Sequence, residues 1–229
     1  MGVSSATLRE EVARDEKGGI RARQFTQRGK PEGEYISFHA SGRPMVRLTF
    51  RNGKKEGGAE SWYPDGRIRE KGSFKNGKLD GQYLSYYENG QLREREYYVD
   101  GLLDGTYNFY YQNGQLRDEE NFKQGKFDGG YRAFYKNGQL RESGSFSRDR
   151  REGQYVAYDR TGKMLEKALY GNGQLIGKFE AFESGETFTE TGGGKAPFAV
   201  ETDDDNEDRN QQEKAADNLL KNLKQKEAS

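Results

Sequence analysis

The chain has 229 residues, of which 31% are hydrophobic and 13% are aromatic, so apolar burial must depend on rings more than on aliphatic side chains. Lys and Arg together number 38, as do Asp and Glu, and this balance argues against non-specific binding to nucleic acid or to an anionic membrane. Cysteine is absent, which excludes disulfides and thiolate metal sites.

Residues 1–17 form an N-terminal segment that precedes the repeats described below. They carry acidic residues and no apolar run, so they do not resemble a secretory signal, and no stretch of the chain is apolar over the length of a bilayer. We therefore expect a cytoplasmic protein. Within this segment, Leu8 and Val12 fall on one helical face and Glu10 completes a capping box with Thr7, which predicts a short helix from Thr7 to Arg14.

Residues 18–190 show a 24-residue period. Several aromatic positions keep the same step as the glycines. The glycine column is Gly33, Gly57, Gly81, Gly105, Gly129, Gly153 and Gly177, and one aromatic column is Phe38, Trp62, Tyr86, Tyr110, Phe134, Tyr158 and Phe182. A period that never slips over seven copies indicates a repeat array.

Each period contains two strand-like runs and two turns, as the unit Asp80–Leu103 shows. The runs Tyr83–Tyr87 and Leu92–Val99 flank a first turn at Asn89-Gly90, which predicts a type I′ hairpin because both central residues of that turn need positive φ. A second turn at Asp100-Gly101 closes the unit. Short connections make consecutive strands antiparallel neighbours, so we predict an all-β fold, an elongated single antiparallel meander of repeated hairpins.

Two further segments follow the array. Residues 191–208 are rich in glycine and acidic residues and are typical of a linker. Over 209–229 the apolar residues recur at helical spacing, which predicts either a short amphipathic helix or a disordered tail. These apolar residues are Ala215, Ala216, Leu219, Leu220 and Leu223.

The repeat unit resembles a known family. The pattern Asp80-Gly81-x-Tyr83-x-x-Tyr86-Tyr87-x-Asn89-Gly90-Gln91-Leu92-Arg93-Glu94 is similar to the bacterial variant of the MORN repeat found in YwqK-family antitoxins. The resemblance implies a β-hairpin array that contacts proteins and sometimes lipids, and the antitoxin family implies neutralisation of a toxin by direct binding. The chain departs from the pattern at Pro44, at Ala59 and at the turn Arg148–Arg150.

Residues suited to catalysis are few. The single histidine, His39, occupies a column that otherwise holds tyrosine, including Tyr63 and Tyr87, so it is interpreted as a substituted aromatic residue. The glycine-rich stretches 171–173 and 192–195 lack the spacing of a phosphate-binding loop. Paired carboxylates occur only in periodic columns, which disfavours a glycan hydrolase. The sequence therefore predicts a non-enzymatic protein without metal or cofactor.

Aromatic and charged columns define the candidate binding surface. Tyr83 and Tyr86 are three residues apart and should face opposite ways on a regular strand, so a one-layer sheet leaves one of these columns exposed. Arg93 and Glu94 are adjacent, which predicts a row of arginines on one face and a row of acids on the other. Two interpretations stay open for each column. The rings either hold the repeats together or recognise a partner. The arginines either keep the sheet solvated or bind an acidic partner.

We therefore predict a protein-binding repeat module whose partner is a protein, a toxin among the candidates, with no nucleic acid bound. The alternative is a membrane-surface or structural scaffold. The predicted partner-binding residues are Tyr83, Tyr86, Tyr87, Tyr107, Tyr110, Tyr111, Tyr131, Phe134, Tyr135, Arg93, Arg117 and Arg141.

Overall fold

The structure is a computed structural model that describes residues 7–183 and 186–191. All regular secondary structure within these residues is β, which confirms the predicted fold class. The strands are β1 Arg9–Arg14, β2 Ile20–Gln27, β3 Lys30–Phe38, β4 Pro44–Arg51, β5 Lys54–Trp62, β6 Ile68–Lys75, β7 Lys78–Leu79, β8 Gly81–Tyr86, β9 Leu92–Val99, β10 Leu102–Leu103, β11 Gly105–Tyr110, β12 Leu116–Lys123, β13 Lys126–Phe127, β14 Gly129–Phe134, β15 Leu140–Ser147, β16 Arg150–Tyr158, β17 Met164–Gly171, β18 Gln174–Leu175, β19 Lys178–Glu183 and β20 Glu186–Thr191. Across these same residues, none belongs to a helix long and apolar enough to cross a membrane.

The strands pair in chain order as one antiparallel meander. Where a repeat contains a two-residue strand, that strand and the next one pair with the same neighbour: β7 and β8 both pair with β6. They are separated at Asp80, and Gly81, the first residue of β8, has a φ of 98°, a conformation that side-chain-bearing residues rarely adopt. The periodic glycine therefore marks a recurring irregularity in strand pairing, which is a register shift in the repeats whose strand is not interrupted.

The two turns of each repeat differ, and the type I′ turn is the second one. At the first turn, Gly90 N–H donates to Tyr87 O (2.8 Å) and Tyr87 N–H donates to Gln91 O (2.9 Å). Gly90 has a φ of 87°, whereas Asn89 is not in the positive-φ region. This is a type I turn followed by a bulged glycine, so the prediction of a type I′ turn at Asn89-Gly90 is wrong.

The second turn needs two residues with positive φ. Asp100 and Gly101 have φ values of 49° and 81°, and they connect the directly paired residues Val99 and Leu102. The same conformation is kept at Arg148 and Asp149, with φ values of 47° and 67°, although neither is glycine. The departure from the repeat pattern at this site therefore changes the residues and leaves the turn in place.

The predicted N-terminal helix is also wrong, because Arg9–Arg14 is strand β1. It pairs with β2, with Val12 opposite Arg23. Asp15 fixes the connecting turn, since its carboxylate accepts a hydrogen bond from Gly19 N–H (2.8 Å). A helix of eight residues is marginal in water, whereas the edge of β2 offers a full set of backbone hydrogen bonds. The predicted linker beyond Thr191 and the predicted C-terminal helix or tail over 209–229 lie outside the described residues.

Candidate functional site

The sheet has two chemically different faces. We call the face that carries Tyr83 and its cross-strand neighbour Glu96 the ring face. The other face, the opposite face, carries Leu84 and its cross-strand neighbours Lys71 and Arg95. Residues directly opposite each other in an antiparallel pair point to the same side, so the register assigns every repeat position to one of the two faces.

Edge-to-face ring pairs line the ring face in three of the described hairpins, at Tyr35–Phe50, Tyr83–Tyr98 and Tyr107–Phe122. Tyr83 and Tyr98 have ring centroids 6.4 Å apart at an interplanar angle of 85°. Tyr107 and Phe122 repeat this geometry at 6.3 Å and 79°. Phe127 follows in the same repeat, with its centroid 4.4 Å from that of Phe122, and continues the contact to Phe146 of the next repeat at 5.3 Å. The rings therefore connect successive repeats, as one of the two open interpretations proposed.

Carboxyl groups lie among these rings, and two of them, Glu96 and Glu120, were not among the residues predicted from the sequence. Their column on the ring face is Leu48, Gly72, Glu96, Glu120, Gly144 and Ala168. Glu96 accepts a hydrogen bond from Tyr98 Oη (2.6 Å). Burial raises the pKa of Glu96 to about 7 against the lowering effect of that bond, and the nearby Glu94 raises it further. Comparing this column across repeats would have found both acids, because the other repeats hold small or apolar residues there.

The predicted separation of arginines and acids onto two faces is wrong. A bulge between Ser85 and Tyr86 makes Arg93 an extra residue, since Ser85 pairs with Glu94 and Tyr86 pairs with Leu92. The Arg93 guanidinium consequently lies 3.0 Å from the Glu94 carboxylate beside it. The same adjacent pairing recurs at Arg69–Glu70 (3.4 Å), Arg117–Asp118 (3.5 Å) and Arg141–Glu142 (3.3 Å).

These ion pairs belong to the interior of the ring face. Ser85 is 1% exposed, donates a hydrogen bond to Glu94 (2.6 Å) and accepts one from Arg93 Nε (3.1 Å). Arg117 is 9% exposed, and its guanidinium carbon lies 5.1 Å from the ring centre of Phe109. The arginines therefore bind carboxylates and rings of this chain, and Ser85 is inaccessible to a substrate.

A third set of predicted residues bonds one repeat to the next. Tyr87 Oη donates to Tyr110 O (2.6 Å), Tyr111 Oη to Phe134 O (2.8 Å) and Tyr135 Oη to Tyr158 O (2.9 Å). His39 stands in the same column, with Nε2 2.9 Å from Trp62 O. We call this column the inter-repeat ladder. The interpretation of His39 as a substituted aromatic residue agrees with this contact.

The remaining predicted aromatics lie on the opposite face. Lys71 Nζ is 5.8 Å from the ring centre of Tyr86, and the guanidinium carbon of Arg132 is 5.7 Å from that of Phe134. Tyr86, Tyr110 and Phe134 are half-buried. The twelve predicted residues thus divide between the two faces and the inter-repeat ladder, and their role in partner binding stays a prediction.

Within residues 7–183 and 186–191, no three histidine or acidic side chains are grouped so that they could hold a metal ion.

Comparisons with known proteins agree with the repeat type. A family described as "MORN repeat variant" matches residues 55–76, 79–100, 103–124 and 151–172. No curated protein matches the chain. Two solved structures share 10% sequence identity with it. One is a chain in a crystal structure of TcdB2-TccC3-Cdc42, with a TM-score of 0.19, covering 76% of this chain, which spans only 13% of that one. The other is a protein of unknown function from Bacteroides fragilis NCTC 9343, with a TM-score of 0.11, covering 82% of this chain and 91% of that one.

The four matched segments begin at residues 55, 79, 103 and 151, positions that all fall on the 24-residue period. Each of them ends at the first of the two positive-φ residues of the second turn. The hairpin meander is therefore built from repeats of which at least four match the MORN repeat variant.

Proposed function

We propose that this protein is a non-catalytic repeat module that binds a protein partner across the ring face of its central repeats, from Tyr83 to Tyr135. The observation that carries the proposal is the half-buried state of Tyr83, Tyr107 and Tyr131, whose rings cohere with their neighbours and still contact solvent. Partly exposed tyrosines are common in protein interfaces because they bury much area at little cost in side-chain entropy.

The hydroxyl groups of these tyrosines stay protonated and can therefore act as hydrogen-bond donors. Burial raises the pKa of the Tyr83 and Tyr107 hydroxyls, and nearby carboxylates raise it further; for Tyr107 these are Glu94 and Glu96. Both hydroxyls are therefore neutral at physiological pH and can donate a hydrogen bond. The carboxylates around them favour a partner with basic or amide donors.

The non-catalytic part of the proposal rests on repetition. The arginine–acid pairs of the ring face recur every 24 residues, whereas a catalytic site needs one asymmetric set of an acid, a base and a nucleophile. The most buried polar candidate, Ser85, is saturated by Glu94 and Arg93.

A finer version of the proposal is that the partner is a toxin and that binding neutralises it by covering its working surface. The support for this version is the resemblance of the repeat pattern to that of the YwqK-family antitoxins. A sheet with equivalent rings in successive repeats offers an extended contact surface, which suits occlusion.

Co-purification of the untagged chain from its native cells tests the proposal. We expect a protein partner at stoichiometric ratio. The triple variant Y83F/Y107F/Y131F, which keeps every ring and removes three hydroxyls, should weaken that complex at least about tenfold. Y158F serves as the control, because Tyr158 holds the same column as Tyr110 on the opposite face and is not among the predicted partner-binding residues.

Two results would contradict the proposal: recovery of the chain without any stoichiometric protein, or a complex that the triple variant leaves unchanged.

Flotation with anionic vesicles distinguishes the proposed function from the alternative, a membrane-surface scaffold. A membrane-surface scaffold should float with the vesicles, and a protein-binding module should not.

A further inference from the structure

The second turns of successive repeats stack in a row on one rim of the sheet. A Cβ atom built on Gly101 would lie 3.3 Å from Cβ of Lys78 in the preceding repeat, and one built on Gly125 would lie 3.5 Å from Cδ2 of Leu102. The residue after each turn therefore packs against the next turn. We call the paired residues that flank these turns the turn row; its pairs are Gln27/Lys30, Arg51/Lys54, Lys75/Lys78, Val99/Leu102, Lys123/Lys126, Ser147/Arg150 and Gly171/Gln174.

Most of the turn-row residues are positively charged, and these charges do not stabilise the sheet. Three of its pairs place two cations directly opposite each other, an arrangement that destabilises a sheet. All of these cations are exposed, and among the described residues Lys75, Lys78, Lys123 and Lys126 make no salt bridge with a carboxylate. Unneutralised charge of this kind is available to a partner.

One pair in the middle of the row is apolar. Val99 and Leu102 are 52% and 51% exposed, and Tyr97 on the same face is 39% exposed. Tyr97 is held in place by a hydrogen bond between its hydroxyl and Gln82 Nε2 (3.0 Å). At the position of Tyr97, the two preceding repeats and the two following ones have small polar residues, namely Thr49, Ser73, Asn121 and Ser145. Tyr97, Val99 and Leu102 thus form an exposed apolar patch within this single repeat.

The fold does not require this patch. Leu102 contacts the following turn in the same way as the aliphatic stem of Lys78 contacts its own following turn. Lysine therefore fits the position of Leu102 without a change in packing, and the column in fact holds Lys30, Lys54, Lys78 and Lys126. An exposed apolar patch without a packing role is a mark of an interaction surface.

We propose that Tyr97, Val99 and Leu102, together with the lysine pairs on either side, bind an extended acidic segment of a partner protein that carries one apolar side chain at its centre. The apolar side chain packs on the patch. Its acidic residues on either side pair with Lys75/Lys78 and with Lys123/Lys126. This surface is separate from the ring face, and the proposal stands without the one made for that face.

The spacing of the turn row sets the pattern of the segment. Equivalent residues of successive repeats are two strand spacings apart, about 10 Å. An extended segment in the polyproline II conformation has three residues per turn and rises about 3.1 Å per residue, so every third side chain faces the same way about 9 Å further along. The partner's acids should therefore lie three residues before and three residues after its apolar residue. A membrane would not distinguish one repeat from the next, whereas the turn row has apolar side chains in one pair only, Val99/Leu102, which favours a protein segment.

A peptide series on the full-length chain tests the inference. The probes are fluorescent peptides with a central leucine and a glutamate placed two, three, four or five residues to each side, with serine at the other positions. Fluorescence anisotropy at about 0.15 M ionic strength should show the tightest binding at a spacing of three. A matched peptide with serine in place of the leucine should bind at least about tenfold more weakly.

The protein variant is V99K/L102K, which gives this repeat the charges of its neighbours. The opposed cations should lower the unfolding temperature by no more than about 4 °C and leave the protein folded. It should lose at least about tenfold in affinity for the leucine peptide while binding the serine peptide no more weakly than the wild type does. The proposal is overturned if affinity depends only on peptide charge, if the variant and the wild type bind the leucine peptide equally, or if vesicles containing phosphatidylserine bind the wild type and the peptides do not.

Discussion

Glu96 shows how a single residue makes the ring face sensitive to pH. Its carboxyl group lies on the ring face with Tyr98 as its hydrogen-bond donor, whereas Glu94 beside it has the cationic partner Arg93. Burial raises its pKa from 4.5 to about 7, so the folded state favours the protonated form. The stabilisation that this protonation gives is fully present below about pH 4.5 and is lost as the pH rises through 7.

Replacing this carboxyl group should remove that pH dependence. We expect E96Q to be more stable than the wild type by about 1–2 kcal/mol at pH 8 and nearly equal to it at pH 4.5, because glutamine is neutral and can still accept the bond from Tyr98. Urea unfolding curves of both proteins between pH 4.5 and 8 measure the difference.

E94Q is the matched control for E96Q. Glu94 accepts hydrogen bonds from both Ser85 and Arg93, so the loss of its charge leaves a half-buried guanidinium without its anion. We expect E94Q to destabilise the protein at pH 8 by about 1–3 kcal/mol. Equal responses of E96Q and E94Q to pH would show that the environments of the two acids do not differ as described.

Removing one hydroxyl of the inter-repeat ladder tests how much its hydrogen bond contributes to stability. Y111F removes the hydroxyl that bonds Phe134 O and keeps a ring that is 7% exposed, so the carbonyl loses its donor at a buried site. We expect a loss of about 1–2 kcal/mol in the free energy of unfolding. Y110F, on the opposite face, should change it by less than about 0.5 kcal/mol. If the two variants lose the same stability, the ladder does not hold the repeats together.

At the scale of the element, the second turn tests backbone conformation. Arg148 has a φ of 47°, in the left-handed region that asparagine tolerates better than arginine, and other repeats have Asn52, Asn76 or Asn172 there. R148N should therefore stabilise the protein by about 0.5–1 kcal/mol, measured by thermal or urea unfolding.

The reciprocal change, N76R, places arginine in an equivalent turn where φ is 52° and should destabilise by a similar amount. An opposite sign for either variant would mean that side-chain contacts outweigh backbone conformation at this turn.

The strands of the repeats could be predicted from the sequence, because turn residues and alternating rings recur at fixed positions. The turn types and bulges could not. Asn89-Gly90 is compatible with a type I′ turn and also with a type I turn plus a bulged glycine, and only the pairing of Ser85 with Glu94 decides between them. That same bulge brings Arg93 onto the side of Glu94, which simple alternation cannot anticipate. For Arg9–Arg14, a helical pattern in six to eight residues was outweighed by the free edge of β2.

At the scale of the whole molecule, the array should tolerate the loss of one complete unit. Deleting residues 80–103 joins Leu79 to Asp104 and lets Tyr63 Oη bond Tyr110 O in place of Tyr86 O, since both carbonyls hold the same position in their repeats. We expect a folded protein with one cooperative urea transition and an m-value lower by roughly one seventh.

Deletion of residues 92–103 is the control, because it removes one strand and one turn and so reverses the direction of every later strand. This shorter deletion should abolish cooperative unfolding. A stable product from it, or an unfolded product from the 24-residue deletion, would contradict the description of the unit.

The candidate surface could be predicted only in part, because the prediction relied on the repeat period. Periodicity identifies what repeats, so it selected the tyrosine columns, whose role in partner binding stays a prediction. It gives no weight to the places where a column is broken, and the features specific to the central repeats are such breaks: Glu96 and Glu120 on the ring face, and Val99 and Leu102 in the turn row. Residues that set one repeat apart from the others are found by comparing each position with its equivalents in the other repeats.

The column of the inter-repeat ladder begins at Asp15 and ends at Asp159, with one histidine and four tyrosines between them. Both aspartates are bonded to their own turns: Asp15 accepts from the N–H groups of Lys17 and Gly19, and Asp159 from those of Thr161 and Lys163. An ionised carboxylate has no proton to offer a neighbouring carbonyl. Among the described residues, the side-chain bonds of the inter-repeat ladder thus run from His39 to Tyr135. Aspartate in this column exchanges a bond between repeats for bonds within its own turn.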